Sequence, residues 1–173
     1  MAYVIGVDCG TSGTKTVLFR EDGTVMASAT VEYPMYQPKN GYAEQDPADW
    51  KAAMIRTIQI VVTKSGVAKE EIKGIGISGQ MHGLVMLDKE NQVLRKSIIW
   101  CDSRAVGIGA EALESIGREF CLEHTLNSPG NFTASKLAWV KRNEPEIFAK
   151  IHKFMLPGDY IAYRLSGRMS TSV

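Results

Sequence analysis

The sequence predicts an α/β fold in which a mixed β-sheet is flanked by helices. Three strand-like segments come first, a helix and a glycine-containing strand follow, and the rest of the chain is mostly helical. This order lacks the regular strand–helix alternation of doubly wound proteins. Strands joined by short turns pair antiparallel, whereas a strand that follows a helical crossover can pair parallel, so both kinds of pairing are expected.

The first third of the chain contains three predicted strands separated by turns. Apolar residues between glycine-rich turn signals place these strands at residues 3–7, 15–20 and 25–33. Residues 33–47 are expected to form an irregular loop, because prolines and an Asn-Gly pair interrupt them.

Clear helix boundaries follow this loop. Asp46 is a good N-cap, Pro47 suits the first helical position, and Gly66 is a plausible stop. Later elements are predicted as a buried strand at 72–79, a hairpin around 89–91, a strand at 97–100, helices at about 103–116, after Thr133 and after Asn143, a strand at 153–157 and a helix ending at Gly167.

The whole order favours a ribonuclease-H-like core. Trp50, Trp100 and Trp139 are predicted to be core residues, and Lys136 and Lys141 to lie on solvated helix faces.

Composition excludes several classes of function. The chain has 173 residues and a net charge of +1, so it offers no broad basic field for nucleic acid. No apolar run approaches the roughly 18 residues of a membrane span, and we see no signal peptide. The three cysteines are far apart and odd in number, which argues against a zinc site and against a disulfide framework. A reducing, cytoplasmic compartment is therefore expected.

The segment "IGVDCGTSGTKTVLF", residues 5–19, carries the first candidate site. Gly10 and Gly13 allow the backbone to approach an anion closely, and the N–H groups and hydroxyls from Thr11 through Ser12 to Thr14 can donate to phosphate oxygens beside Lys15. Asp8 would repel a bare phosphate, but a Mg²⁺ ion between them reverses that sign. A metal–nucleotide complex is therefore one interpretation of this turn.

Two other kinds of phosphate site and a purely structural turn are alternatives to the metal–nucleotide interpretation of this segment. A P-loop requires a second glycine at position 15, where Lys15 stands, and a helix afterwards. A haloacid-dehalogenase-type phosphatase requires a second aspartate where Gly10 stands. Both are rejected, whereas a glycine-rich hairpin turn with an aspartate that caps its own backbone remains open.

Further segments resemble the N-terminal domain of the FGGY carbohydrate kinases, members of the superfamily that includes Hsp70 and actin. These are "DCGTSGTK", "YAEQDPADW", "GIGISGQMHGLVMLD", "IIWCDSRA", "NFTASKLAWVKRNEPEIF" and "FMLPGDYIAYRLSG". They span nearly the whole chain, and "GQMHG" is the most specific, since glycerol kinases differ there. Within the family the chain most resembles the xylulokinase branch, which implies an actin-like ATPase fold.

The resemblance implies a role for each matched residue. Asp8 would organise Mg²⁺ and the transferring phosphoryl group of ATP, and the turn from Gly10 to Lys15 would bind phosphate. Gln80, Met81 and His82 would contact a pentulose, and Asp102 and Arg104 would lie near the same pocket, either touching the sugar or supporting the loop. The implied reaction is phosphorylation of D-xylulose to D-xylulose 5-phosphate.

Ordinary structural roles compete with these assignments. His82 alone is more often a structural histidine, Met81 a core residue, and Asp102 and Arg104 a helix-start acid and a surface base. A kinase for ribulose, fuculose or glycerol, a non-catalytic sugar-binding module and an actin-like ATPase stay open as alternative functions. The oligomeric state is also open, with a homodimer among the options.

The resemblance also implies that residues 1–173 are an incomplete enzyme. Family members carry a second actin-like domain, and ATP binds between the two domains. The general base would follow Val173, so the fragment alone is expected to be inactive.

Overall fold

The computed structural model describes residues 1–171, so the last two residues of the predicted domain lie outside the described residues. In chain order the strands are β1 (Tyr3–Cys9), β2 (Gly13–Arg20), β3 (Val25–Glu32), β4 (Glu44–Gln45), β5 (Ile72–Gly79), β6 (Val85–Leu87), β7 (Ser97–Ile98) and β8 (Lys153–Met155). The α-helices are α1 (Pro47–Ser65), α2 (Val106–Ile116), α3 (Arg118–His124), α4 (Thr133–Asn143), α5 (Pro145–Phe148) and α6 (Pro157–Ser166).

The chain folds into two compact units. The first unit contains residues 1–35, 46–80 and those from 157 onward, and the second contains residues 36–45 and 81–156. None of the helices within residues 1–171 has the length and apolar composition needed to cross a bilayer.

A four-stranded mixed sheet forms the centre of the first unit. Its strand order is β3-β2-β1-β5, with β1 antiparallel to β2 and parallel to β5. Alternate residues of β1 and β2 are buried, as expected when one face of a sheet packs against helices. The predicted mixed sheet is therefore confirmed.

Helix α1 packs against β2 and β3, and α6 packs against β5. The predicted boundaries of α1 are confirmed, because Asp46 Oδ1 accepts a hydrogen bond from Ala48 N at 2.9 Å and Gly66 ends the helix with φ 66°. Trp50 is fully buried, as predicted. A 2.7 Å hydrogen bond between the buried hydroxyls of Thr16 and Thr57 joins the sheet to the helix.

Strand β5 was predicted to be buried, but in the structure it is largely exposed. Most of its residues are exposed, including Gly74 and Gly76. Among the described residues it pairs only with β1, so it is an edge strand, and its glycines bring no side chains to cover the sheet. Apolar residues separated by glycine predicted a strand correctly but not its burial.

The second unit contains two short strand pairs, β4 with β7 and β6 with β8. Its core cluster consists of Leu84, Met86, Ile98 and Val140. Strand β4 lies in the segment predicted to be an irregular loop, and α3 was not predicted at all. Helix α2 begins at Val106 rather than at residue 103.

Two side-chain predictions in the second unit are wrong. Trp100 is 47% exposed rather than buried, because β7 ends two residues before it. Lys136 is fully buried rather than solvated, because its side chain turns inward to the carbonyl of Asn131. Lys141 is exposed, as predicted.

Candidate functional site

The predicted phosphate turn joins β1 to β2 in the first unit. Gly10 N donates a 3.1 Å hydrogen bond to Gly13 O across the turn. A β-carbon on Gly13 would lie 2.6 Å from the carbonyl oxygen of Val31, so the close approach of β3 requires glycine there. The packing of β3 thus requires glycine at position 13, although neither Gly10 nor Gly13 has a positive φ.

Tyr33, which the sequence analysis did not single out, holds this turn from the side. Its hydroxyl donates a 2.5 Å hydrogen bond to Gly10 O, and its backbone N–H donates to Ser12 O at 3.4 Å. The Cys9 sulfur lies 3.5 Å from the same hydroxyl. Burial raises the pKa of both the Cys9 thiol and the Tyr33 phenol, so both stay protonated at neutral pH.

The side chains of the turn differ in their exposure. Thr14 is fully buried, so its hydroxyl faces the protein interior. Ser12 and Lys15 are exposed, and Thr11 is half-buried. Of the four hydroxyl and amino side chains predicted to face a phosphate, Thr14 is the one that the structure turns away from solvent.

Asp8 lies at the C-terminal end of β1 with an exposed side chain. It is paired across the sheet with Lys15 on β2 and with Ser78 on β5. All three border an open groove of about 470 Å³ on the sheet face, whose other lining residues include Val17 and Phe19. The structure thus brings an acid, a base and a hydroxyl together next to the glycine turn.

The candidate metal site is limited to this one carboxylate. Within residues 1–171, no group of three or more His, Cys, Asp or Glu side chains could enclose a metal ion. Mg²⁺ typically keeps several waters and binds one or two carboxylates together with substrate phosphates. An exposed Asp8 beside a phosphate turn fits that donor set, whereas an all-protein metal cage does not.

His82, in the second unit, has an unusual backbone conformation. Its φ is 58°, in the left-handed region that non-glycine residues seldom adopt and that often marks functional loops. The imidazole is half-buried and stacks on Phe132 with ring centroids 4.1 Å apart. Burial and, to a smaller extent, the charge of Lys136 lower the His82 pKa, so the ring is neutral at pH 7.

The residues before His82 are placed differently from each other. Met81 is 59% exposed, so it is not a core residue in the described structure. Gln80 is buried and belongs to the first unit, where its backbone N–H donates to Cys9 O at 2.9 Å. This bond places Gln80 at the end of the strand that carries Asp8.

Asp102 and Arg104 form a buried network. The Asp102 carboxylate is fully buried and accepts hydrogen bonds from Ala43 N at 2.6 Å and from Arg104 Nη2 at 2.7 Å. Arg104 also binds Glu44 at 2.7 Å, and its guanidinium lies 3.8 Å from the ring centroid of Tyr42. The interpretation of Arg104 as an ordinary surface base is therefore wrong, and the arrangement fits support of the loop better than direct contact with a sugar.

The segment at the start of α4 holds two predicted sugar loops, and the sequence analysis missed its role. Asn131 Nδ2 donates to the carbonyls of Trp100 and Asp102, and Thr133 Oγ1 donates to Gly83 O at 3.3 Å. Lys136 Nζ donates to Asn131 O. The segment "NFTASKLAWVKRNEPEIF" was recognised as a family motif, but Lys136 within it was predicted to lie on a solvated helix face.

Comparison with known proteins agrees with these features. Residues 3–173 match the model described as the FGGY family of carbohydrate kinases, N-terminal domain. The xylulose kinase of Bacillus subtilis (strain 168) is 43% identical over 176 residues, which is 99% of this chain and 34% of that protein. The chain thus spans about a third of the length of this curated relative.

Solved structures show the same fold. The xylulose kinase from Rhodospirillum rubrum superposes with a TM-score of 0.90 at 31% identity, over 96% of this chain and 34% of that one. The gluconate kinase from Lactobacillus acidophilus gives a TM-score of 0.89 at 32% identity, over 97% of this chain and 34% of that one. The predicted actin-like fold is confirmed, and the chain belongs to the FGGY family of carbohydrate kinases.

Proposed function

We propose that the complete protein transfers the γ-phosphoryl group of ATP to the terminal hydroxyl of D-xylulose, giving D-xylulose 5-phosphate. The observation that carries the proposal is the placement of Asp8, exposed at the end of β1 beside Lys15 and the glycine turn. Relatives called xylulose kinase cover nearly the whole chain at 36–43% identity and support this choice of sugar.

The first unit would bind the phosphates. The N–H groups of the turn, the Ser12 hydroxyl and the Lys15 ammonium donate to phosphate oxygens, and Gly10 and Gly13 let the backbone come close. Asp8 would hold Mg²⁺, which supplies charge neutralisation to the phosphates when bound. Phosphoryl transfer depends mainly on such positioning and charge stabilisation.

The second unit would bind the sugar. A neutral His82 can both donate and accept hydrogen bonds, which suits the hydroxyl groups of a pentulose. Met81 can supply an exposed, adaptable apolar surface for the carbon face of the sugar. Asp102 and Arg104 would fix the loop that follows Trp100.

We propose that residues 1–173 are the N-terminal domain of a longer enzyme. The chain covers about a third of its curated relatives, and we propose that the remaining part supplies the general base. The site residues proposed in this chain would contact phosphate and sugar. Fragment 1–173 should therefore show no turnover by itself. The three cysteines, which are far apart in the sequence, fit a reducing cytoplasm as its compartment.

The test follows ADP release by the full-length gene product with Mg-ATP and one of several acceptors. D-xylulose should give the highest kcat/KM among D-xylulose, L-ribulose, L-fuculose and glycerol, and release without sugar should be small. Asp8→Asn should lower kcat by about a hundredfold or more, since the carboxylate stabilises the reacting phosphates. Asp22→Asn, in the exposed turn between β2 and β3, is the matched control and should keep full activity.

Three results would contradict the proposal. ADP release that is equally fast without sugar would indicate an actin-like ATPase. Binding of pentulose without any ATP turnover by the full-length protein would indicate a sugar-binding module. An Asp8→Asn variant as active as Asp22→Asn would remove Asp8 from the phosphate site.

Gluconate is a second candidate acceptor. The likeness to the gluconate kinase of Lactobacillus acidophilus favours it specifically. Gluconate should be included in the same assay, and a higher kcat/KM for gluconate than for D-xylulose would keep the reaction type while replacing the sugar.

A further inference from the structure

Lys136 is a buried cation whose position calls for an explanation. It lies in the first turn of α4 and is fully buried. Its ammonium donates to Asn131 O, and among residues 1–171 no carboxylate lies within 4.0 Å of it as a salt-bridge partner. Burying an ammonium group without a paired carboxylate is costly, so an ordinary packing role would be filled more stably by an apolar side chain.

The carbonyl bound by Lys136 belongs to a segment that contacts both predicted sugar loops. The side chain of Asn131 donates to the backbone of Trp100 and Asp102. Phe132 stacks on His82, and Thr133 donates to Gly83 O at 3.3 Å. The three consecutive residues 131–133 therefore hold the loop of His82 and the loop after β7 at the same time.

We propose that Lys136 is a positioning residue of the sugar-binding loops, because its ammonium fixes the Asn131 carbonyl and thereby the segment 131–133 that joins those loops. The assignment of these loops to sugar binding rests on the proposed function. The positioning itself is a statement about this chain alone and can be tested without any substrate.

The charges around Lys136 give the proposal a specific signature. Asp102, Cys101 and Arg104 face the ammonium, and burial outweighs the attraction of Asp102, so that the Lys136 pKa falls to about 8. At pH 7 the ammonium is charged, and its charge adds to burial in lowering the His82 pKa. Replacement of Lys136 by a neutral side chain should therefore change the His82 pKa, and loss of its hydrogen bond should loosen the segment 131–133.

The test is an NMR titration of the His82 ring in the 173-residue chain. Lys136→Met keeps the length of the side chain and removes its charge. It should raise the His82 pKa, because the ammonium charge that helps to lower this pKa is gone. Backbone amides of residues 131–133 should also exchange with deuterium at least about tenfold faster than in the wild type.

Lys141→Met is the matched control, because Lys141 lies on the exposed side of the same helix. It should change neither the His82 pKa nor amide exchange at residues 131–133. Lys136→Arg retains the charge and should keep the His82 pKa near its wild-type value. A folded Lys136→Met variant with a wild-type His82 pKa and wild-type exchange would overturn the proposal.

The wild-type chain provides a second test that does not depend on folding of the variant. When Lys136 loses its proton near pH 8, the ring signals of His82 should show a second, smaller inflection. Absence of that inflection while the Lys136 signal itself titrates would overturn the proposal.

Failure of the proposed function would look different. In the full-length protein, Lys136→Met should raise the KM for D-xylulose by about tenfold and leave the KM for ATP unchanged. A protein that phosphorylates no sugar would void the proposed function, but the NMR results would still decide the positioning role.

Discussion

In the first unit the turn of the candidate phosphate site is shaped by backbone, whereas in the second unit the candidate sugar loops are held by buried charged side chains. Gly10, Gly13 and the pairing of β1 with β2 shape the phosphate turn. The sugar loops depend instead on Asp102, Arg104 and Lys136, all largely or fully buried. Glycines cost little to bury, but each charge must find a partner, so the two units should respond very differently to mutation.

The largest effect is expected from Arg104→Leu. The substitution leaves the fully buried Asp102 carboxylate without its guanidinium partner, which should lower the free energy of unfolding by about 3–5 kcal/mol. Urea denaturation followed by circular dichroism measures it. Arg142→Leu is the control, because Arg142 pairs with Glu111 on the surface and should contribute less than about 1 kcal/mol. Equal losses in both variants would mean that the burial of an ion pair does not determine its contribution to stability.

The free energy of unfolding should depend on pH through the buried Lys136. Its pKa is about 8 in the folded protein and 10.5 for the ordinary side chain, so the unfolded chain binds the proton more tightly. Between pH 8 and 10.5 the wild type should therefore gain about 3 kcal/mol relative to Lys136→Met. Urea denaturation of both proteins across this range tests it. A constant difference would show that Lys136 has an ordinary pKa.

Gly13→Ala tests the backbone-built site. The new β-carbon would lie 2.6 Å from Val31 O, so β3 must shift, at a cost of about 2 kcal/mol in the free energy of unfolding. Gly74→Ala in β5 is the control, because nothing lies within 4 Å of its added carbon. If the two variants lose stability equally, the loss reflects glycine in a strand rather than the close approach of β3.

The smallest effect is expected from Tyr33→Phe. Loss of the 2.5 Å hydrogen bond to Gly10 O should cost about 1 kcal/mol and speed amide exchange in the turn. Tyr3→Phe is the control, since the Tyr3 hydroxyl makes only a 4.0 Å contact with the Met1 sulfur. Unchanged exchange at residues 10–13 in Tyr33→Phe would remove Tyr33 from the support of the turn.

Much of the first unit was predictable because its signals are local. The cap at Asp46, the stop at Gly66 and the turn at Gly10 each depend on a few neighbouring residues. The burial of β5 was predicted wrongly, since a run of apolar residues and glycines does not reveal how many neighbours a strand has. Tyr33 was missed because it meets the turn 23 residues away along the chain.

The second unit was predictable in its motifs but not in its contacts. The segments containing His82, Asp102 and Arg104 were identified correctly as family motifs, yet β4 was assigned to a loop. Arg104 binds Glu44 of β4, 60 residues earlier in the chain, and no local pattern indicates such a pair. The same holds for the backbone of Ala43, which donates to Asp102.

The sequence by itself determined the order of the elements in the first unit, the caps of α1 and the glycine turn, because backbone conformation depends mainly on neighbouring residues. Only the tertiary structure decided which charges are buried. Lys136 and Lys141 occupy the same helix, and one is fully buried while the other is exposed. The physical reason is that a charged side chain can be buried only where distant segments bring it hydrogen-bond partners, and these segments meet only in the folded protein.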